Sequence, residues 1–225
     1  MTPFQARVLE ILFTTEQIQR AYYFTGGSAL SEFYLQHRES DDLDLFTRVG
    51  RNIRKDYREV ARVLDREGLE ILSGREGDEF VRFFVRGNDE TGKGLKVEFC
   101  RDAGAQMSPA KTIADVIVDS FEDIAVNKVC AIYGRTEVKD FVDLFFILRE
   151  SEFTLDYLVG RAKEKEAAFD REDTVLEFAT KLLEVKNLHL HEIRMIKPLV
   201  LEDFRAYLTS KAEVLVRRLR PIRTT

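Results

Sequence analysis

Two carboxylates stand two residues apart in Asp42-Leu43-Asp44-Leu45, shortly after the small-residue stretch Gly26-Gly27-Ser28. On a strand, positions i and i+2 point to one face, so Asp42 and Asp44 can share a divalent cation. Glycines let a backbone approach a ligand closely, and free N–H groups at a helix start favour anions such as phosphate. The Ser28 hydroxyl can add a further phosphate contact. Together these parts form a minimal apparatus for holding a metal-bound nucleotide and attacking its phosphorus. Plainer readings stand beside this one. Gly26, Gly27 and Ser28 can form a tight turn in which Ser28 caps the next helix. Asp42 and Asp44 can line the polar face of an edge strand, although Asp is a poor strand former. The stretch is not a Walker loop, because no Lys-Ser or Lys-Thr follows a GxxxxG spacing.

Further candidates lie downstream. In Leu95–Cys100 the apolar Leu95, Val97 and Phe99 alternate with Lys96, Glu98 and Cys100, which puts Glu98 on the polar face. There it is either a metal ligand or proton acceptor, or an exposed strand Glu. Lys128 shares a helical stripe with Phe121, Ile124, Ala125 and Ile132, so it either snorkels to the edge or points into a cleft at an anion. With a triphosphate site proposed, the cleft is favoured. Asp140 and Asp143 are spaced i and i+3 beside Phe141, Leu144, Phe145 and Leu148; a helix dipole alone also favours acids in a first turn. Arg135 and Lys139 are phosphate ligands or solvated, His37 and Arg38 either face a nucleotide or belong to the loop, and Asp41 reads as a loop residue.

These residues need elements to hold them. Thr2-Pro3 opens a helix that carries Phe4, Val8, Ile11, Leu12 and Ile18. A short strand over 22–25 runs into the Gly-Gly-Ser turn, and a helix from Ser28 ends near His37. A strand over 43–47 carries the two acids, and a helix over 53–67 is stopped by Gly68. Strands over 69–72, 79–85 and 95–100 follow, with a hairpin loop at 87–94. Beyond Met107-Ser108-Pro109 no convincing strand is visible, and 121–133, 138–150, 155–168, 172–185 and 199–219 show helical periodicity. The expected fold class is α+β: a mixed sheet flanked by helices over residues 1–108, then a helical domain over 109–225.

Composition narrows the function. The 225 residues are 44% apolar and 33% charged, enough for a substantial core. Cys100 and Cys130 make no disulfide framework and no zinc pattern. With no secretory leader and no apolar run of membrane-spanning length, a cytoplasmic protein without a membrane partner is expected. The net charge of −5 gives no global basic field. Positive charge gathers instead at Lys211, Arg217, Arg218, Arg220 and Arg223, which either complement a helix dipole or form an RNA-contacting arm.

The ordered segments GGSALSEFYLQHRESDDLDLF, LKVEF and FEDIAVNKVCAIYGRTEVKDFVDLFFIL resemble the AbiEii-type nucleotidyltransferases of the polymerase-β-like superfamily, across roughly residues 20–150. That family includes toxins of toxin–antitoxin and abortive-infection systems. Its Gly-Ser turn and DxD fall on Gly27, Ser28, Asp42 and Asp44, its helix Lys on Lys128, and its later acidic motif on Lys139, Asp140 and Asp143. The third carboxylate, commonly Asp, is here Glu98. The resemblance implies a catalytic set of Asp42, Asp44, Glu98, Lys128 and Asp140, with Asp42, Asp44 and Glu98 holding one or two Mg²⁺ ions. It also implies a nucleotide held by Gly26, Gly27, Ser28, Lys128 and Asp143, with the C-terminal helices contributing to the cleft. Which of Asp140 and Asp143 is the essential acid stays open. The implied reaction moves a nucleoside monophosphate from a nucleoside triphosphate to a hydroxyl and releases pyrophosphate. The expected acceptor is RNA, in particular tRNA, and the expected protein partner is a cognate antitoxin. Transfer to a protein or an antibiotic-type small molecule, and nucleotide binding without turnover, are the alternatives.

Overall fold

Period-two alternation, clearest in Leu43–Thr47 and Leu95–Arg101, builds the middle of a seven-stranded mixed sheet. The structure is a computed structural model and describes residues 1–87, 94–191 and 193–219. The strands are β1 (Tyr23–Thr25), β2 (Leu43–Thr47), β3 (Glu70–Glu76), β4 (Phe80–Arg86), β5 (Leu95–Arg101), β6 (Lys111–Ile113) and β7 (Val116–Val118). Their order across the sheet is β3-β4-β5-β2-β1-β7-β6, parallel at β2/β5 and β1/β7 and antiparallel elsewhere. Most of the loop expected at 87–94 lies outside the described residues.

The sheet belongs to a unit made of Met1–Glu32, Ser40–Gly104 and Pro109–Ser120. Its helices are α1 (Pro3–Thr14), α2 (Glu16–Ala21), α3 (Gly26–Leu30) and α4 (Ile53–Arg66). A reciprocal cap starts α1: Gln5 N–H donates to the Thr2 hydroxyl, and Thr2 N–H donates to the Gln5 side-chain oxygen at 2.7 Å. Asn52 caps α4, whose Tyr57 meets Phe83 on the face where Leu43, Leu45, Val97 and Phe99 are fully buried. The opposite face carries the acids.

Several expectations are corrected, beginning with the first helix, which stops at Thr14 and leaves Ile18 to α2. Residues 111–118 are not helix or loop but the β6–β7 hairpin, which completes one edge of the sheet. Its two central residues, Ala114 and Asp115, both have positive φ, the signature of a tight hairpin turn that Asn-Gly normally announces. The helix after Ser28 is also not regular. α3 ends at Leu30, a wide π-type turn spans Ser31–Leu35, and Gln36 takes a left-handed φ of 50°.

The second unit comprises Phe33–Glu39, Ala105–Ser108 and Phe121–Thr225. Its helices are α5 (Phe121–Gly134), α6 (Val138–Glu150), α7 (Leu155–Lys165), α8 (Glu172–Leu182) and α9 (Leu201–Leu219). α5 packs on α6, α7 and α8, and α9 packs on α8 and α6. α6 buries every side chain from Asp140 to Leu148, which fits its nearly continuous apolar sequence. The helices expected at 155–168 and 172–185 stop early, at Lys165 and Leu182, and each passes into a tight 3-10 turn. Tyr34 of the short Phe33–Glu39 segment stacks on Phe121. Among the described residues, no helix is long and apolar enough to cross a membrane.

Candidate functional site

On the sheet unit, hydrogen-bond register sets the acids in a row. Thr25 on β1 lies opposite Asp44 on β2, Asp44 opposite Glu98 on β5, and Glu98 opposite Arg82 on β4. Directly opposed residues share a face, so Asp44 and Glu98 stand side by side and Asp42 joins them two residues away. Two cations sit among these carboxylates. Lys96 Nζ is 2.8 Å from Asp42 Oδ2 and 3.7 Å from Glu98 Oε1, and Arg82 Nε donates to Glu98 Oε1. Lys96 was readable from the same alternation that singled out Glu98. Among the described residues, no three His, Cys, Asp or Glu side chains converge closely enough to enclose a metal. The donors nevertheless fit Mg²⁺, which takes one or two carboxylates and completes its shell with water and substrate phosphates. The Lys96 ammonium already occupies the position of a positive charge between Asp42 and Glu98.

The Gly-Gly-Ser stretch, which forms the first residues of α3 and not a separate turn before a helix at Ser28, meets this row directly. Gly26 has φ of +77°, and a Cβ placed on it would lie 2.2 Å from Asp44 Oδ2. The Asp44 carboxylate therefore lies against the turn, and only glycine satisfies both the backbone angle and the contact. Gly26→Ala is expected to lower stability by about 1–3 kcal/mol, the cost of a left-handed non-glycine residue, and to displace Asp44. Urea unfolding of the variant measures it; an unchanged midpoint contradicts this reading. Ser28 neither caps its own helix nor points a free donor outward, because its hydroxyl donates to the backbone carbonyl of Asp42. It ties the turn to the strand that carries the acids. Behind the turn, Thr25 donates to the buried Asp119 at 2.9 Å, which fixes the end of β1. At Cys100, beside Glu98, burial and then the Glu98 charge push the thiol up to about 11, away from the reactive thiolate form.

In the helical unit a second set of charges is buried. Lys128 on α5 is 6% exposed, and Asp140 and Asp143 on α6 are fully buried. Lys128 Nζ lies 2.9 Å from Asp140 Oδ1 and 2.7 Å from Asp143 Oδ2. The i, i+3 spacing of the two acids places them together facing α5. Lys128 therefore does not snorkel; its ammonium is held between two carboxylates. Arg135 Nε donates to Asp140 Oδ2 at 2.8 Å. Lys139 stays half-exposed with Glu137.

His37 and Arg38 complete the cluster, in a role the sequence did not assign. Arg38 forks onto Asp143, Nε to Oδ1 at 2.6 Å and Nη2 to Oδ2 at 2.8 Å. His37 Nε2 donates to Asp143 Oδ1 at 2.7 Å, since an ionised carboxylate can only accept. No local signal marked this role, because partners more than a hundred positions away are not legible in a linear pattern. The described part of the basic tail serves its own unit: Arg218 pairs with Asp156 at 2.7 Å and Arg217 donates to the Glu213 carbonyl. Arg220 and Arg223 lie outside the described residues.

The fields in this cluster decide its protonation. Burial pushes Asp143 upward, but Lys128, Arg38 and the hydrogen bonds from His37 and Arg38 outweigh it and hold the carboxyl well below its ordinary 3.8. Asp140 is lowered in the same way, burial being overcome by Lys128 and Arg135. Burial alone would lower Lys128, yet Asp143 and Asp140 together raise it. A depressed carboxyl contributes stability that is complete above its unfolded value and is lost as pH falls through that value towards the folded one. Wild-type stability should therefore fall as pH drops from about 5 to about 3, and fall less steeply in Asp140→Asn. Equal slopes in urea titrations would contradict the geometry.

The sequence model of the family described as nucleotidyl transferase AbiEii toxin, type IV toxin–antitoxin system, matches residues 7–215. Comparison with curated proteins returns no match. Among solved structures, a putative nucleotidyltransferase from Helicobacter pylori aligns with a TM-score of 0.60 and 22% identity over 100% of both chains. JHP933 from Helicobacter pylori aligns with a TM-score of 0.59 and 22% identity over 95% of this chain and 91% of its own. MenT4, a nucleotidyltransferase toxin of Mycobacterium tuberculosis, aligns with a TM-score of 0.58 and 15% identity over 94% of this chain and 81% of its own. At these identities the structures speak for the fold. The family match, spanning nearly the whole sequence, carries the assignment: the chain belongs to the AbiEii nucleotidyltransferase toxins.

Proposed function

We propose that the protein transfers a nucleoside monophosphate from a nucleoside triphosphate to a hydroxyl of RNA, most specifically tRNA, with release of pyrophosphate and dependence on Mg²⁺. The supporting observation is the row of Asp44 and Glu98, joined by Asp42, with a cation already drawn among them. Asp42 and Asp44 would hold the metal, with Glu98 as the third oxygen donor. Bound there, Mg²⁺ supplies Lewis-acid stabilisation of charge on the phosphates. The acceptor oxygen forms a bond to the α-phosphorus, the bond from that phosphorus to the oxygen bridging to the β-phosphate breaks, and pyrophosphate leaves. Glu98, beside Asp44 in register, would serve either as that third donor or as acceptor of the hydroxyl proton. Gly26 and Gly27 give the backbone freedom to approach the triphosphate, and Ser28 holds that turn to Asp42. Lys128, Asp140 and Asp143 are candidates through the family motif alone, and within their own unit the two acids hold the Lys128 ammonium.

A type IV toxin–antitoxin family implies a separately encoded antitoxin that limits this activity. The acceptor is tested by incubating the purified protein with Mg²⁺, total cellular RNA and each α-labelled nucleoside triphosphate. Label in a tRNA-sized band, lost when the RNA is first oxidised with periodate, is the expected result. Label on protein or on a small molecule, with none on RNA, overturns the RNA assignment.

A further inference from the structure

We propose that Lys96 is a resident counter-cation of the carboxylate row, and that an entering divalent cation must displace it. The inference rests on the metal-site reading of Asp42 and Asp44. Without a metal, Asp42, Asp44 and Glu98 would place like charges side by side, and such pairs destabilise a sheet. The Lys96 ammonium removes that conflict from within the row, 2.8 Å from Asp42 and 3.7 Å from Glu98, while Arg82 holds Glu98 from the next strand. Lys96 and Asp42 are each about one quarter exposed, so the ammonium has room to swing away on its four-carbon stem. Arg82 sits on the far side of Glu98 from Asp44 in the strand order β4-β5-β2. Lys96 therefore competes for the metal ligand Asp42 itself, and Arg82 does not.

Two consequences follow from this displacement. The carboxylates stay assembled before metal arrives, so the site is formed in advance of its ion. Metal affinity is also lower than the same acids would give alone, because the ion must first break the Asp42 pair. Lys96 is a positioning residue on this account, acting through the acids rather than on the substrate.

The test measures Mn²⁺ binding by the loss of free-ion electron paramagnetic resonance signal, without nucleotide. Wild type, Lys96→Met, Asp44→Asn and the remote charge-removing control Arg86→Gln are compared. Removing a unit positive charge within a few ångströms of the ligands should tighten Mn²⁺ binding about tenfold in Lys96→Met. Binding should be lost in Asp44→Asn and little changed in Arg86→Gln. Wild-type binding that Asp44→Asn abolishes, but that Lys96→Met leaves equal or weaker, overturns the counter-cation and spares the metal site. No Mn²⁺ binding in either wild type or Lys96→Met overturns the metal site and this inference with it. A second readout needs no variant at Lys96: acetic anhydride labelling of that amine in the wild type, followed by mass spectrometry, should rise when Mn²⁺ is added. Labelling that does not change with Mn²⁺ overturns the displacement.

Discussion

Asp44→Asn is expected to lower nucleotide transfer by about three orders of magnitude, the rate equivalent of several kcal/mol of lost charge stabilisation. The substitution keeps the shape that packs against Gly26 and removes only the charge. Thr25 and Glu98, its neighbours across the strands, stay in register because the ladder is made by backbone groups. Thermal unfolding should change little, since the side-chain shape is kept and Lys96 keeps Asp42. A large fall in melting temperature would show that Asp44 is a structural acid instead.

Lys128→Met is expected to behave in the opposite way, lowering stability by about 3 kcal/mol, the scale for removing one partner from a buried ion pair. Lys128 is 6% exposed, and Asp140 and Asp143 are fully buried. Without the ammonium, Asp140 keeps only Arg135 among the cations shown around it, and Asp143 keeps Arg38 and His37. Those remaining partners hold the loss below what an isolated buried carboxylate would cost. The neighbouring Lys139→Met, at a half-exposed pair with Glu137, should change stability by less than about 0.5 kcal/mol. Urea midpoints for the two variants decide the matter; equal small shifts would remove the buried cluster from the account.

The two variants separate what sequence made legible from what it did not. Asp42 and Asp44 were singled out as candidates because strand period and charge spacing are local, and the burial of Leu43 and Leu45 follows from the same alternation. The helix starting at Thr2 and the long helices beyond residue 120 were equally local. The β6–β7 hairpin escaped because its strands are three residues long and its turn uses Ala114-Asp115 rather than a glycine. The irregular turn at Ser31–Leu35 escaped because its residues still carry helical periodicity. His37 and Arg38 were read only as nucleotide-facing or loop residues because their partner, Asp143, comes from a distant helix. Lys128 was placed on the right stripe, but its fixation by both acids needed α5 and α6 side by side. Local pattern singled out the candidate residues; long-range pairing gave several of them their partners.

The most direct measurement of the central claim follows the two ends of the donor separately. Wild type and Asp44→Asn would be incubated with Mg²⁺, RNA and a nucleoside triphosphate labelled either on the α-phosphorus or on the γ-phosphorus. Nucleotidyl transfer at this site requires that α-label enter the RNA in step with pyrophosphate release, that γ-label never do so, and that the variant transfer neither. Entry of γ-label into the acceptor, or undiminished α-transfer by Asp44→Asn, would contradict it.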